Sequence, residues 1–129
     1  MKILVAYDEK TSFERVLDQA VKRAKRSNAF VYLIRTCSPE RSAREISEIT
    51  FKLNELRRAR FKSEGVESES HVLIRGLAPG EDIVQFAREK SVDEIILGIK
   101  KMSKIGKALF GSTAQFVILE APCPVLTVK

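Results

Sequence analysis

Short apolar runs recur along the chain and are separated by longer amphipathic stretches. Successive apolar residues in Lys2–Tyr7, Ala29–Thr36 and Glu94–Gly98 predict strands that are covered on both faces. The alternation of polar and apolar residues over Val66–Ile74 predicts a half-exposed edge strand, and Val125–Lys129 predicts a final strand. The pattern therefore contains five strand segments.

Between the strands, apolar residues recur at intervals of three and four, which is the spacing of amphipathic helices. A first helix is predicted from about Phe13 to Ser27-Asn28. The others are predicted over Pro39–Ser63, Glu81–Lys90 and Ser112–Glu120. The second is expected to begin at Pro39, because proline suits the first position of a helix, and to end at about Ser63, with Gly65 just beyond its last turn.

Strands and helices alternate from one end of the chain to the other, which predicts an α/β fold. Helical connections of this length give right-handed crossovers and an open five-stranded parallel sheet with helices on both faces. Ligands of such sheets bind beyond the carboxyl ends of the strands, where the strand order reverses. If the first and fourth strands are neighbours, Asp8 and the segment from Gly98 to Thr113 form one crevice there.

The segment from Gly98 to Thr113 has the residues that a phosphate site uses. Glycine lets a ligand approach the backbone closely, and a helix start offers N–H groups and a positive dipole end. The segment carries the cations and hydroxyl of Lys100, Lys101, Ser103, Lys104 and Lys107. It is not a Walker loop, because its spacing differs from that motif. We interpret it as a cradle for nucleotide phosphates; the alternative is a turn with solvated lysines.

Composition narrows the class of protein. The 129 residues predict a single domain over residues 1–129, and 44% hydrophobic with 31% charged residues is typical of a soluble globular protein. No run is long enough to span a membrane, and the N-terminus does not resemble a signal peptide, so we expect a cytoplasmic protein. The net charge of +6 favours an anionic ligand, but the absence of Trp makes nucleic acid an unlikely one.

Few residues are suited to catalysis. His71 is the only histidine and lacks Cys or acidic residues at ligand spacing, and Cys37 and Cys123 form no metal motif, so we expect structural thiols and no metal site. No Ser-His-Asp or Cys-His set is evident, and Asp8 and Glu9 are the carboxylates expected near the phosphate loop. An enzymatic role beyond slow ATP hydrolysis is therefore not expected.

At both ends the sequence resembles the universal stress protein family. The first strand with its aspartate, KILVAYD, is similar to the opening of that family, and GSTAQFVILEAPCPVLTV is similar to its last helix and strand. The nucleotide-binding members carry Gly-x2-Gly-x9-Gly followed by Ser or Thr. Gly98, Gly111 and Ser112 match the first Gly, the third Gly and the hydroxyl of that motif. The resemblance covers essentially the whole chain.

The resemblance implies a Rossmann-like fold with strand order 3-2-1-4-5, a homodimer that pairs through the last strand, and ATP or another adenine nucleotide, with Mg²⁺ as its companion. By position, the adenine and ribose would lie near Ala6, Asp8 and Thr36. The ribose and phosphates would follow Leu97, Gly98, Lys100 and Lys101, with Ser103 adding to the anion site. Donors to the phosphates would come from Gly111, Ser112 and Thr113.

This sequence departs from the family motif at its second glycine, where Lys101 stands. A lysine needs room and a backbone with negative φ. Lys101 either replaces a backbone contact with a charge contact or fills the position of a phosphate. The function therefore lies among three alternatives: an adenine-nucleotide-binding stress switch or sensor, a nucleotide-free dimeric scaffold, and a weak ATPase.

Overall fold

The computed structural model describes residues 1–11, 13–99 and 111–129, and its strands and helices alternate along the chain. The strands are β1 (Lys2–Ala6), β2 (Phe30–Thr36), β3 (Ser68–Leu73), β4 (Glu94–Gly98) and β5 (Val125–Val128). The helices are α1 (Phe13–Ser27), α2 (Ala43–Arg60), α3 (Pro79–Lys90) and α4 (Ser112–Glu120), with a 3₁₀ turn at Lys62–Glu64. Within these ranges, no helix is both long and apolar enough to cross a bilayer.

All the strands form one parallel sheet in the order β3-β2-β1-β4-β5. Ala6 at the end of β1 is in register with Ile34 of β2 on one side and with Leu97 of β4 on the other. The α/β class, the strand order and the edge position of β3 predicted from the sequence are therefore confirmed. The carboxyl ends of β1, β2 and β4 lie side by side.

Alternate residues of each strand build two apolar layers, one on each face of the sheet. In β1, Ile3 and Val5 are buried in the layer that contains α1 and α2, whereas Leu4 is buried in the layer that contains α3 and α4. Both layers are closed by residues at helical spacing, such as Val16 and Leu17 of α1 in the first layer. Burial of every second side chain on each face is what keeps the strand register fixed.

The second helix begins later than the sequence pattern predicted. It starts at Ala43 rather than Pro39, because Ser42 and Glu45 form a capping box. The Ser42 hydroxyl accepts the Glu45 N–H at 3.1 Å, and the Glu45 carboxylate accepts the Ser42 N–H at 3.4 Å. The hydrogen bonds that the Glu45 carboxylate accepts from the Ser42 N–H and hydroxyl lower the pKa of Glu45. The helix ends at Arg60, before the 3₁₀ turn that Gly65 closes with a φ of 72°.

The third helix begins earlier than predicted, at Pro79 rather than Glu81. Pro79 occupies the first turn, where its missing N–H leaves no hydrogen bond unmade. Its apolar residues Ile83, Val84, Phe86 and Ala87 are all buried.

An ion pair with a buried carboxylate and a partly exposed guanidinium joins α1 to the start of β4. Glu94 retains only 7% of its exposure, and its two carboxylate oxygens accept hydrogen bonds from Nε and Nη2 of Arg23, each at 2.6 Å. This bidentate geometry supplies the carboxylate with the partner that burial demands. The hydrogen bond to Glu94 is also the main reason that the pKa of Arg23 is raised.

Replacement of Arg23 by methionine should leave the Glu94 carboxylate buried without its partner. We expect a loss of about 2 kcal/mol in the free energy of unfolding at neutral pH. The matched control is Arg44→Met, since Arg44 pairs with Glu48 on the exposed surface of α2, and a loss below about 0.5 kcal/mol is expected there. Urea unfolding of both variants tests this, and equal losses would contradict it.

Candidate nucleotide site

The loops that follow β1 and β4 leave the sheet side by side. The two strands are hydrogen-bonded neighbours, with Ala6 in register with Leu97. The chain runs from β1 to β2 in one direction and places β4 on the opposite side, so the strand order reverses between β1 and β4. This is the position at which open α/β sheets bind ligands. The crevice expected from the sequence therefore has the strand arrangement that it requires.

Strand alternation places the predicted adenine and ribose residues on one face. Ala6 and Leu97 belong to the layer of α3 and α4. Thr36 is on the same face, because it is in register with Leu73, which is buried in that layer. Helix α4 also lies on this face, through Ala114. The structure thus brings Ala6, Thr36 and Leu97 to the side of the sheet on which α4 lies.

Asp8 organises the loop that follows β1. Its side-chain Oδ1 accepts the N–H of Lys10 at 2.9 Å, and its carbonyl oxygen accepts the N–H and the hydroxyl of Thr11 at 3.2 and 3.0 Å. These bonds fold residues 8–11 into a tight turn, as an aspartate at the first turn position commonly does. The Asp8 side chain remains exposed at the strand end.

Gly98 is buried beneath this turn. A Cβ atom at Gly98 would lie 2.5 Å from Thr11 Oγ1, 2.8 Å from Thr11 Cβ and 3.1 Å from Val16 Cγ2. Any larger residue would therefore push the turn away from β4. Sequence reasoning assigned this glycine to the approach of a ligand and missed Thr11, because the contact joins residues that are far apart in the chain.

Gly111 has a different environment at the start of α4. Its φ of −62° and ψ of 156° are open to any residue, and no described atom lies within 4 Å of a Cβ built there. No side chain caps the helix at this position, and the first turn, which contains Ser112 and Thr113, has no acidic residue. The positive end of the helix dipole is therefore not offset by a carboxylate in that turn. The predicted residues Lys100, Lys101 and Ser103 lie outside the described residues.

The opposite side of the same strand ends carries an ion pair that sequence reasoning did not single out. Arg35 Nη1 donates to Glu9 Oε1 at 2.8 Å, and the guanidinium carbon lies 5.5 Å from the ring centre of Tyr7. These residues line a small cleft of about 40 Å³ against Leu53 and Leu56. Burial is the main cause of the raised pKa of Tyr7, to which Glu9 adds.

The histidine and the two cysteines are further side chains with potential catalytic or metal-binding chemistry that the structure describes. His71 Nε2 is 2.9 Å from Glu69 Oε2, and its ring contacts Tyr32 and Phe86. Both cysteines are free, and burial raises the pKa of the Cys123 thiol. In the parts of the chain that the structure describes, no three His, Cys, Asp or Glu side chains are grouped as metal ligands would be. A cavity of about 510 Å³ opens at the other end of the sheet, beside Met1 and Phe30.

Comparisons with known proteins all indicate the same family. The sequence model of the universal stress protein family matches residues 1–129. A Thermus aquaticus protein described as "universal stress protein in QAH/OAS sulfhydrylase 3'region" is 30% identical over 134 aligned positions, which cover 98% of this chain and 97% of that protein.

Solved structures give the same result. A universal stress protein from Archaeoglobus fulgidus has 36% identity and a TM-score of 0.85 over all of this chain and 93% of its own. A structure of the Archaeoglobus fulgidus universal stress protein in complex with dAMP has 34% identity and a TM-score of 0.82 over all of this chain and 98% of its own.

Gly98→Ala should destabilise the protein, because the new methyl group would overlap the Oγ1 and Cβ atoms of Thr11. We expect a loss of about 1–3 kcal/mol in the free energy of unfolding, as is usual for overpacking. Addition of Thr11→Gly removes both of those atoms, so the double variant should regain part of the loss relative to Gly98→Ala with Thr11 intact. Urea unfolding measures both, and an additive loss in the double variant would contradict this account.

Proposed function

Since the chain belongs to the universal stress protein family, we propose that it binds ATP or another adenine nucleotide and acts as a stress-response switch or sensor. The site lies across the carboxyl ends of β1, β2 and β4. The complex of the Archaeoglobus fulgidus relative with dAMP supports this choice of ligand. We further propose that residues 1–129 act as one domain in the cytoplasm.

The observation that carries this proposal is the convergence on one face of the sheet. Ala6, Thr36 and Leu97 lie on the face that α4 covers. The Gly111 that precedes α4 has neither the positive φ nor the close described neighbours that would otherwise call for glycine. Close approach of a phosphate to the backbone is a physical reason for a glycine at such a helix start.

Each part of the nucleotide has a chemically suitable partner. The apolar side chains of Ala6 and Leu97 suit the faces of an adenine ring, and the Asp8 carboxylate suits ribose hydroxyls as an acceptor. Backbone and hydroxyl donors of Ser112 and Thr113, with the positive end of α4, suit phosphate oxygens. Gly98, Lys100, Lys101 and Ser103 complete the proposed phosphate side, where the lysines contribute charge.

Any Mg²⁺ in this site would depend on the nucleotide. The described residues provide no group of three carboxylate, His or Cys ligands. Mg²⁺ commonly binds through one or two carboxylates together with substrate phosphates and water. We therefore propose that the metal enters with the phosphates, with Asp8 as the nearest candidate carboxylate.

We also propose a homodimer through β5, because the two edges of the sheet differ. Edge strand β3 carries Glu69 and His71, and Arg57 donates to the carbonyl of Ser68 at 3.4 Å. Charged side chains are a common means of preventing edge-to-edge pairing. By contrast, β5 reads VLTV without a charge, and the preceding α4 exposes Ile118 and Leu119.

The hydrogen bonds of β5 identify the groups that could pair with a second copy. The carbonyls of Pro124 and Val128 accept the N–H groups of Ile95 in β4 and of Ile99 just after it, at 3.0 and 2.8 Å. Because backbone groups of a strand alternate in direction, those of Val125 and Thr127 point away from β4. They provide the donors and acceptors for an intermolecular strand pair.

Calorimetric titration of ATP tests the proposed ligand. The parent protein should bind ATP with micromolar affinity that weakens with salt, because charged side chains contribute to phosphate binding. Gly111→Val, whose branched side chain would occupy the space at the helix start, should weaken binding about tenfold or more at unchanged fold by circular dichroism. Titrations with and without Mg²⁺ show whether the metal contributes.

The Lys101→Gly variant separates this proposal from the scaffold alternative. If the parent does not bind and Lys101→Gly does, Lys101 fills the place of a phosphate and the protein is a nucleotide-free scaffold. If neither the parent nor Lys101→Gly binds ATP, the proposal that this protein binds an adenine nucleotide is wrong.

Thr127→Pro tests the dimer. Proline removes an N–H that points away from β4, so the sheet should persist while the intermolecular pair is lost. The matched control is Ser70→Pro on the opposite edge strand. This substitution should leave the molecular mass of the assembly unchanged. Sedimentation equilibrium should report a dimer for the parent and the control and a monomer for Thr127→Pro. A dimer in all three would place the interface elsewhere.

A further inference from the structure

The ends of β1 and β2 carry functional side chains on both faces. Asp8 and Thr36 belong to the proposed nucleotide site. The residue before Asp8 is Tyr7, and the residue before Thr36 is Arg35. Tyr7 packs against the layer of α1 and α2, and Arg35 lines the same cleft as Tyr7, Leu53 and Leu56. Asp8 and Thr36 thus each follow directly on a residue that lines this cleft.

Of the two partners in the Arg35–Glu9 ion pair, Arg35 is the one held in place by further contacts. Its side chain retains 22% exposure, and the guanidinium lies over the Tyr7 ring at 5.5 Å. The Tyr7 ring is itself fixed by an edge contact with Phe13 at 5.1 Å, and the Tyr7 N–H bonds the Ile34 carbonyl at 2.8 Å. The guanidinium is therefore a fixed anchor that belongs to β2.

Glu9 is the more exposed partner of the pair, since its side chain retains 61% exposure, and it lies in the turn of residues 8–11. Among the described contacts, the turn is joined to α1 by the Phe13 N–H, which donates to the Thr11 carbonyl at 2.8 Å, and to the strands beside β1 by two side chains. Thr11 holds it to Gly98 of β4, and Glu9 holds it to Arg35 of β2. These contacts reach the strands on either side of β1, so together they position the turn, and Asp8 with it, relative to both neighbouring strands.

We propose that Arg35 is a positioning residue for the nucleotide site, acting through Glu9 to hold Asp8 at the ends of β1 and β2. The inference rests on the proposed function, since it assigns a role towards the same ligand. Arg35 itself lies on the other face of the strand ends and does not contact the nucleotide.

Loss of the Arg35–Glu9 pair should weaken nucleotide binding more than it lowers the free energy of unfolding. A partly exposed ion pair contributes little to the free energy of unfolding. A surface turn, however, opens locally at a much lower free energy than the whole fold, so loss of one of its contacts with the neighbouring strands changes its ordered fraction. A ligand that needs the ordered turn then binds more weakly by that fraction.

The test compares Arg35→Met and Arg35→Lys with the parent, and Lys25→Met is the matched control. Lys25 pairs with Glu64 at 3.0 Å, also partly exposed, at the other end of the sheet. The first measurement is amide hydrogen exchange at Lys10 and Thr11 without nucleotide. The second is the Kd for ATP, and the third is the urea midpoint.

In Arg35→Met, we expect exchange at Lys10 and Thr11 to accelerate about tenfold and the Kd for ATP to rise about fivefold to tenfold. The urea midpoint should fall no further than in Lys25→Met. Arg35→Lys keeps the charge and should restore part of both effects. Glu9→Gln added to Arg35→Met should cost no more than Arg35→Met alone, since both act through one contact.

The outcomes separate this inference from the proposed function. If the parent binds no ATP, the proposed function fails, and with it the role towards a ligand; exchange still shows whether Arg35 holds the turn. Unchanged exchange in Arg35→Met overturns the inference. So does faster exchange with an unchanged Kd in a parent that binds ATP, and so does an equal effect of Lys25→Met.

Discussion

The contact between the Thr11 side chain and the backbone of Gly98 governs the geometry of the candidate site. It brings the turn after β1 down onto the end of β4, across the point where the strand order reverses. Without a bare backbone at Gly98, the turn would stand away from the sheet, and Asp8 with it. The glycine is thus needed for a contact within the protein, and this need exists whether or not a nucleotide is bound.

The fold could be predicted from the sequence because its elements leave strong periodic signals. Successive residues are apolar in runs such as Ile3–Val5 because both faces of β1 are covered. In α1, apolar residues recur at helical spacing because only one side of the helix is buried. The predicted start of α2 at Pro39 was wrong because the sequence offers two competing signals for a helix start there. Pro39 offers only a suitable φ, whereas Ser42 and Glu45 satisfy two backbone N–H groups, and the capping box prevails.

The candidate site was predictable only in part. Asp8 could be expected beside the segment after β4 because a parallel sheet brings the carboxyl ends of neighbouring strands together. Ala6, Thr36 and Leu97 were assigned from the family resemblance, and their contacts with a nucleotide stay a prediction. Thr11 could not be predicted, because its importance comes from a contact made 87 positions along the chain, at Gly98. The role of Lys101 stays a prediction, since it depends on side-chain geometry that periodicity does not determine.

The unequal edges of the sheet also limit how large an assembly can grow. A sheet with two open edges can add neighbours at both and extend into a fibre. Here Glu69 of β3 and the Arg57 contact oppose pairing at one edge, whereas β5 at the other edge carries no charged residue. A pair related by twofold symmetry uses the open edges of both copies at once. In the proposed dimer, strand pairing through β5 would therefore end at two chains and leave no template for polymerisation.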